Sequence, residues 1–236
     1  MEPKLLSLNS GRLVRASYTD APSGGTGIGK TPVEGAVMVS APGPRGVGGS
    51  GLSGDVIGDM RHHGGDDQAV YSFAREDLDE WEGELNRPLR NGVFGENLTT
   101  VGVDVNGALI GERWRVGGGL LLEVTSGRIP CRTFAGWMDE SGWIRRWTRK
   151  AAPGAYLRVI EPGEIRAGDS IDIVHRPDHD VTVAVQFRAS TTERELLARI
   201  LTAGEALHSG VRADAEAYIR KYGGNHGDGG REKPRV

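Results

Sequence analysis

The chain of 236 residues holds a single cysteine, Cys131, in the run Glu123-Val-Thr-Ser-Gly-Arg-Ile-Pro-Cys-Arg-Thr-Phe134. A cysteine acts as a soft metal ligand or a nucleophile as the thiolate, not the thiol. Arg128 and Arg132 flank this sulfur, and Pro130 stiffens the backbone just ahead of it. Leu120 to Thr125 is an apolar run of strand formers ended by Ser126-Gly127, and Thr133 to Met138 can open a short helix. A thiol at such a junction, near helix amides and two guanidinium groups, is expected to ionise below the usual value of about 8.5. A lone cysteine can equally be a small buried hydrophobe, and composition leaves the two readings level.

Other stretches offer chemistry of their own. Gly24-Gly-Thr-Gly-Ile-Gly-Lys-Thr31 satisfies the phosphate-loop pattern letter for letter. That loop must open a helix whose amides and dipole meet the anion. Here Pro32 follows, and Val33 to Val39 alternates like a strand, so nucleotide hydrolysis is set aside. Lys30 stays available to a phosphate as a point charge. Gly46 to Gly51 fits a dinucleotide pattern but also lacks a following helix, and the Pro/Gly-rich 41–54 stretch reads as a flexible loop. Asp55 to Tyr71 is the densest polar segment. Its His63-Gly-Gly65 permits tight backbone geometry, so His63 could face a ligand at close range; the plainer reading is a turn closed by local Asp and His bonds. His62, His63, Asp66 and Asp67 form a weak metal set, because adjacent residues seldom converge on one ion. Gly95 lets Glu96 and Asn97 point into a site, although Asn97 could instead close a turn.

The positioning elements follow from periodicity. Ser72 to Asn86 reads as a helix with Ser72 as cap and Ala74, Leu78, Trp81 and Leu85 on one face. Trp143 and Trp147 lie four apart on a second helix, with Arg145, Arg146, Arg149 and Lys150 on its solvated face. Strands are expected over Leu5 to Val14, Val101 to Arg115, Gly154 to Ile160, Ser170 to Val174 and Val181 to Phe187. Ser190-Thr-Thr-Glu193 is a capping-box pattern, followed by apolar residues at helical spacing, and further short helices are expected over 204–207 and 211–222. Net charge is −3, which carries no nucleic-acid footprint. One cysteine excludes an internal disulfide framework, and no signal-peptide pattern or long apolar run is visible, so a cytoplasmic, non-membrane protein is expected.

Taken in order, Thr26-Gly-Ile-Gly-Lys30, Gly54-Asp55, His63-Gly-Gly65, Phe94-Gly-Glu-Asn-Leu98, Arg128-Ile-Pro-Cys131 and Gly154 to Val159 resemble the MOSC domain family in its YiiM-like branch. The 41–51 insert is longer and richer in glycine than in that branch, and Glu112 stands where an aspartate is expected. The resemblance implies a mainly β fold: a MOSC-type β-barrel with peripheral helices over 1–186 and a small three-helix segment over 187–222. The polar tail 223–236 reads as disordered.

The resemblance further implies a molybdenum cofactor of the pyranopterin type, with Cys131 as the metal's protein ligand and catalytic centre. Lys30 and Thr31 would be a phosphate-binding pair with Arg128 beside them, and Asn97, His63 and Glu96 would line the pocket. The implied activity is reduction of N-hydroxylated bases such as 6-N-hydroxylaminopurine to the amine. One cysteine cannot hold an iron–sulfur cluster, so a separate reductase would supply electrons. A non-catalytic carrier of the cofactor, or of persulfide sulfur on Cys131, is the rival reading. A metal-independent hydrolase built on His62, His63 and Asp67 is a distant third. A homodimer is compatible with the short terminal helices, which must pack on something.

Overall fold

Short runs of strand formers separated by glycine turns give twelve strands among residues 2–222, which the computed structural model describes. They are β1 (Lys4–Ser10), β2 (Val14–Arg15), β3 (Gly25–Thr26), β4 (Thr31–Pro32), β5 (Val37–Val39), β6 (Val70–Ala74), β7 (Leu98–Val101), β8 (Arg113–Val116), β9 (Leu120–Gly127), β10 (Ala155–Glu161), β11 (Gly163–Ile165) and β12 (Ile171–His175). The helices are α1 (Arg75–Leu85), α2 (Arg132–Met138), α3 (Trp143–Lys150), α4 (Val183–Thr191), α5 (Leu197–Ile200) and α6 (Ser209–Tyr222). The tail expected over 223–236 lies outside the described residues. None of the described helices is long and apolar enough to cross a membrane.

Eight strands form one mixed sheet in the order β12-β8-β9-β10-β6-β7-β1-β4. The β6–β7 pair is parallel, with Ser72 opposite Leu98, and α1 supplies the crossover that a parallel pair requires. The other ladders of this sheet are antiparallel. A barrel closed by continuous ladders is not what the pairing draws. The two ends of the sheet meet through one bridge, Lys4 with Ser170, and a few backbone bonds such as Leu5 N to Asp169 O at 2.9 Å. The edge of β1 is shared, because its Asn9 and Ser10 pair with β4 instead.

β9 is buried at every position. It is covered on both sides: an aliphatic core that includes Leu122, Leu157, Val183 and Ile200, and an aromatic core of Phe73, Trp81, Phe94, Phe134, Trp143 and Trp147. A strand covered on both faces carries Arg128 into the body of the protein, and Ile129 to Cys131 then return to a partly exposed rim.

Several expected elements differ. Val181 to Phe187 is not a strand: Thr182 Oγ1 caps α4 by accepting from Val185 N at 3.1 Å, and Val183, Val185, Gln186, Phe187 and Ala189 are all buried. Burial of most of the helix, all but the Ala184–Arg188–Thr191 face, overrides its β-branched content. The expected capping-box residues Ser190 and Thr191 therefore end α4 instead of starting a helix. Ser72 does not cap α1; it is buried within β6, and Ala74 precedes the helix without a side-chain cap. Between β7 and β8 the chain turns irregularly, so Val101 to Arg115 is not one strand pair, and of Val33 to Val39 only β5 is extended in a ladder.

Candidate active site

Cys131 ends the extended segment after β9, with φ −120° and ψ 170°, immediately before α2, and its side chain is half-buried. It opens onto a cavity of about 630 Å³ whose wall includes Lys30, His63, Asn97, Arg128 and Cys131. The strand-to-helix junction read from the sequence is thus real, and so is its placement beside a hollow.

Arg128 lines this cavity and is 5% exposed. Its guanidinium carbon is 4.2 Å from the centre of the Phe134 ring and 5.1 Å from that of Tyr71. Nη1 donates to the Phe94 carbonyl, while Nε is buried without a partner. Among the described residues no carboxylate pairs with this side chain. An arginine stays charged even when buried, so the cavity floor carries an uncompensated positive charge. Tyr71 and Tyr156 also line the wall, and burial pushes both phenols up, which keeps them neutral.

Lys30 is differently placed. Its Nζ contacts Oδ1 of Asp55, whose side chain is fully buried. Burial pulls the Lys30 ammonium down from the ordinary lysine range, and Asp55 partly offsets this. Asp55 also accepts from Gly11 N at 2.8 Å and from Asn97 Nδ2 at 2.9 Å. Asn97 Oδ1 accepts in turn from Tyr71 N at 3.1 Å, so this side chain closes local structure and lines the cavity at once. The loop at Gly27 approaches that of Val56 so closely that an added Cβ would stand 1.9 Å from the Val56 carbonyl oxygen. That approach brings Lys30 and Asp55 together across 25 residues of sequence.

His63 lines the same cavity and is half-buried. Burial, and then the Arg128 charge, push its imidazole down to about 4, so it is neutral at pH 7. Gly65, at φ 80°, lets this turn press on the 41–51 loop, where a Cβ would stand 2.7 Å from Arg45 N. The last wall comes from the start of α6: His208, Gly210 and Val211 reach the cavity. Asp67 fixes that wall, accepting from Ser209 N at 2.8 Å, Ser209 Oγ at 2.6 Å and Arg158 Nη2 at 2.6 Å.

Two expected site residues are not brought to the cavity. Thr31 is exposed on β4 and does not line the cavity. Glu96 is fully buried and engaged by Gly92 N, Phe94 N and Thr99 Oγ1; burial raises its carboxyl. It holds the turn that carries Asn97. His62, His63, Asp66 and Asp67 do not converge, and no group of three or more metal-ligating side chains does so among the described residues. Asp55, Tyr71, Tyr156 and His208 were not picked out as site residues in the sequence. Asp55 carries a signal in the Gly54-Asp55 motif and the dense polar run, and Tyr156 lies within the Gly154 to Val159 motif.

The MOSC domain family model matches residues 59–172. YflK of Bacillus subtilis (strain 168) is 30% identical over 196 residues, which is 83% of this chain and 84% of that protein. The chain belongs to the YiiM-like MOSC family. The crystal structure of YiiM from Geobacillus stearothermophilus matches this MOSC chain with a TM-score of 0.73 at 23% identity, covering 92% of this chain and 99% of that one. At that identity the likeness is one of fold. YiiM of Escherichia coli (strain K12) is 32% identical over 138 residues, 56% of this chain and 60% of that protein. A Gibberella moniliformis protein named as a reductase is 31% identical over 119 residues, but these are 49% of this chain and only 21% of that protein.

Proposed function

We propose that this MOSC chain binds a molybdenum cofactor through Cys131 and reduces N-hydroxylated bases to amines, with electrons from a separate reductase. The observation that carries the reading is the pairing of the one thiol with Arg128, a buried cation without a counter-charge, in one cavity. Arg128 lines the cavity with no carboxylate paired to it, so an anionic group of a ligand would complete its charge. The donor set fits as well: one soft sulfur for a metal, and one fixed guanidinium for phosphate or an anionic pterin edge. When bound, the cofactor would supply the two-electron transfer.

The chain's residues do the rest. Cys131, which lines the cavity just before α2, would hold the metal. Arg128 would neutralise negative charge on the bound group. The Asp55–Lys30–Asn97 network fixes the wall and keeps its own charges paired, so Lys30 acts chiefly through the network rather than as a free phosphate donor. His63 presents a neutral ring toward the ligand. The balance is one N-hydroxyl group, two electrons and two protons in, and one N–H and one water out.

The test uses protein from a host that makes the cofactor, a chemical electron donor and 6-N-hydroxylaminopurine. The wild type should form adenine and Cys131→Ala should not; wild-type turnover in the variant would end the proposal. Metal bound without turnover would favour the carrier reading, and sulfane sulfur on Cys131 without metal the persulfide one.

A further inference from the structure

The start of α6 contributes an imidazole with an unusually well-defined state. His208 immediately precedes α6, and its Nδ1 accepts from Gly210 N at 3.0 Å and Val211 N at 3.4 Å. A nitrogen that accepts an amide proton has its lone pair free, so the neutral ring must carry its hydrogen on Nε2. The side chain is 5% exposed, and among the described residues nothing accepts from Nε2. Nor is Nε2 one of the buried polar atoms sealed off without a partner. Its open side is the cavity that His208 lines together with Arg128 and Cys131.

The ring is also held from both ends. The His208 amide donates to the Thr125 carbonyl at 3.1 Å, and the next residue, Ser209, is anchored twice on Asp67. Burial pulls the imidazole below the usual histidine range; Asp67 opposes this, and Arg45 and Arg158 add to it. A neutral donor on a rigid mount suits an uncharged acceptor on a flat ring more than an anion.

We propose that His208 is a specificity-determining residue: its Nε2–H donates to a ring-nitrogen or carbonyl acceptor on the heteroaromatic body of the substrate. The terminal helical segment then selects the base, while the segment after β9 presents the reactive end. This inference rests on the N-hydroxyl reduction reading above and narrows its substrates to acceptor-bearing heteroaromatics.

The discriminating variant is His208→Asn. Asparagine is among the best N-cap residues, so it can keep the α6 cap, but it is too short to place a donor where Nε2 stood. Two probes are compared: 6-N-hydroxylaminopurine, whose ring carries acceptors, and N-hydroxybenzamidine, whose phenyl ring carries none. Loss of one neutral hydrogen bond predicts a rise in KM for the purine of up to about tenfold, with kcat within about twofold and the benzamidine unaffected. Equal losses on both probes, or no loss on either, would overturn the proposal. A second measurement needs no turnover and no variant. Long-range proton–nitrogen spectra of the full wild-type chain should show Nε2 protonated and its resonance moving as adenine is added. A shift without any turnover would sink the reduction reading and leave His208 as a base-binding group. Turnover with an unmoved His208 resonance would sink the assignment of His208.

Discussion

Replacing Arg128 by methionine separates a ligand-binding arginine from a structural one. Taking a guanidinium out of water costs several kcal/mol. The rings of Phe134 and Tyr71 return about 2 kcal/mol through cation–π attraction. The bond to the Phe94 carbonyl returns roughly 1.5–3 kcal/mol, which leaves the native side chain close to break-even. A buried methionine of similar reach gains roughly 1.5–3 kcal/mol. It also leaves the Phe94 carbonyl unpaired, at roughly 1–3 kcal/mol. Arg128→Met should therefore lie within about 1 kcal/mol of the wild type, or about 2–4 °C in melting temperature for a chain of this length. Urea unfolding at constant m is the assay, combined with a phosphate titration. Saturating phosphate, at about a hundred times its dissociation constant, should stabilise the wild type by about 2.7 kcal/mol and the variant not at all. A loss above about 3 kcal/mol, as when a buried ion pair is broken, would show Arg128 to be a structural keystone and refute the argument.

Asp55→Ala would strand the Lys30 ammonium without its partner and strip Gly11 N and Asn97 Nδ2 of their acceptor, for a loss of about 3–5 kcal/mol. Adding Lys30→Met should recover part of that loss in urea unfolding, and no recovery would mean the two are not coupled. Asp77 behaves in the opposite sense. Burial, with Glu80 adding to it, pushes its carboxyl up to about 7, so native stability from this group is present below about pH 4 and lost as pH rises through 7. Asp77→Asn can still accept from Asn106 and should stabilise the protein by a few kcal/mol at pH 8 but not at pH 4; a difference independent of pH would contradict this.

What the sequence made legible was local. The thiol before α2 and the packed tryptophans of α3 each follow from residues within about a dozen positions of one another, whereas Ser126-Gly127, expected to end the strand, lies inside β9 and pairs with β10. Trp143 and Trp147 are buried and Lys150 pairs with Glu80 and Glu84, so the basic stripe is a solvated face. The phosphate-loop pattern lacks its helix, since β4 follows Lys30. The failures are long-range. The Asp67–Ser209 contact joins residues 142 apart, and nothing local in either marks the other. The resemblance pairs Thr31 with Lys30, yet Thr31 is exposed on β4 and does not line the cavity. The α4 sequence, Val-Ala-Val-Gln-Phe, carries strand formers, and the helix is explained by its tertiary packing and the Thr182 cap.

The central claim is that Cys131 supplies a sulfur to a metal held in this cavity. X-ray absorption at the molybdenum edge, on protein loaded in a cofactor-competent host, tests it directly. The account predicts that Cys131→Ser either fails to retain molybdenum or shows one sulfur neighbour fewer than the wild type. An unchanged sulfur shell at full metal occupancy in the variant would contradict it.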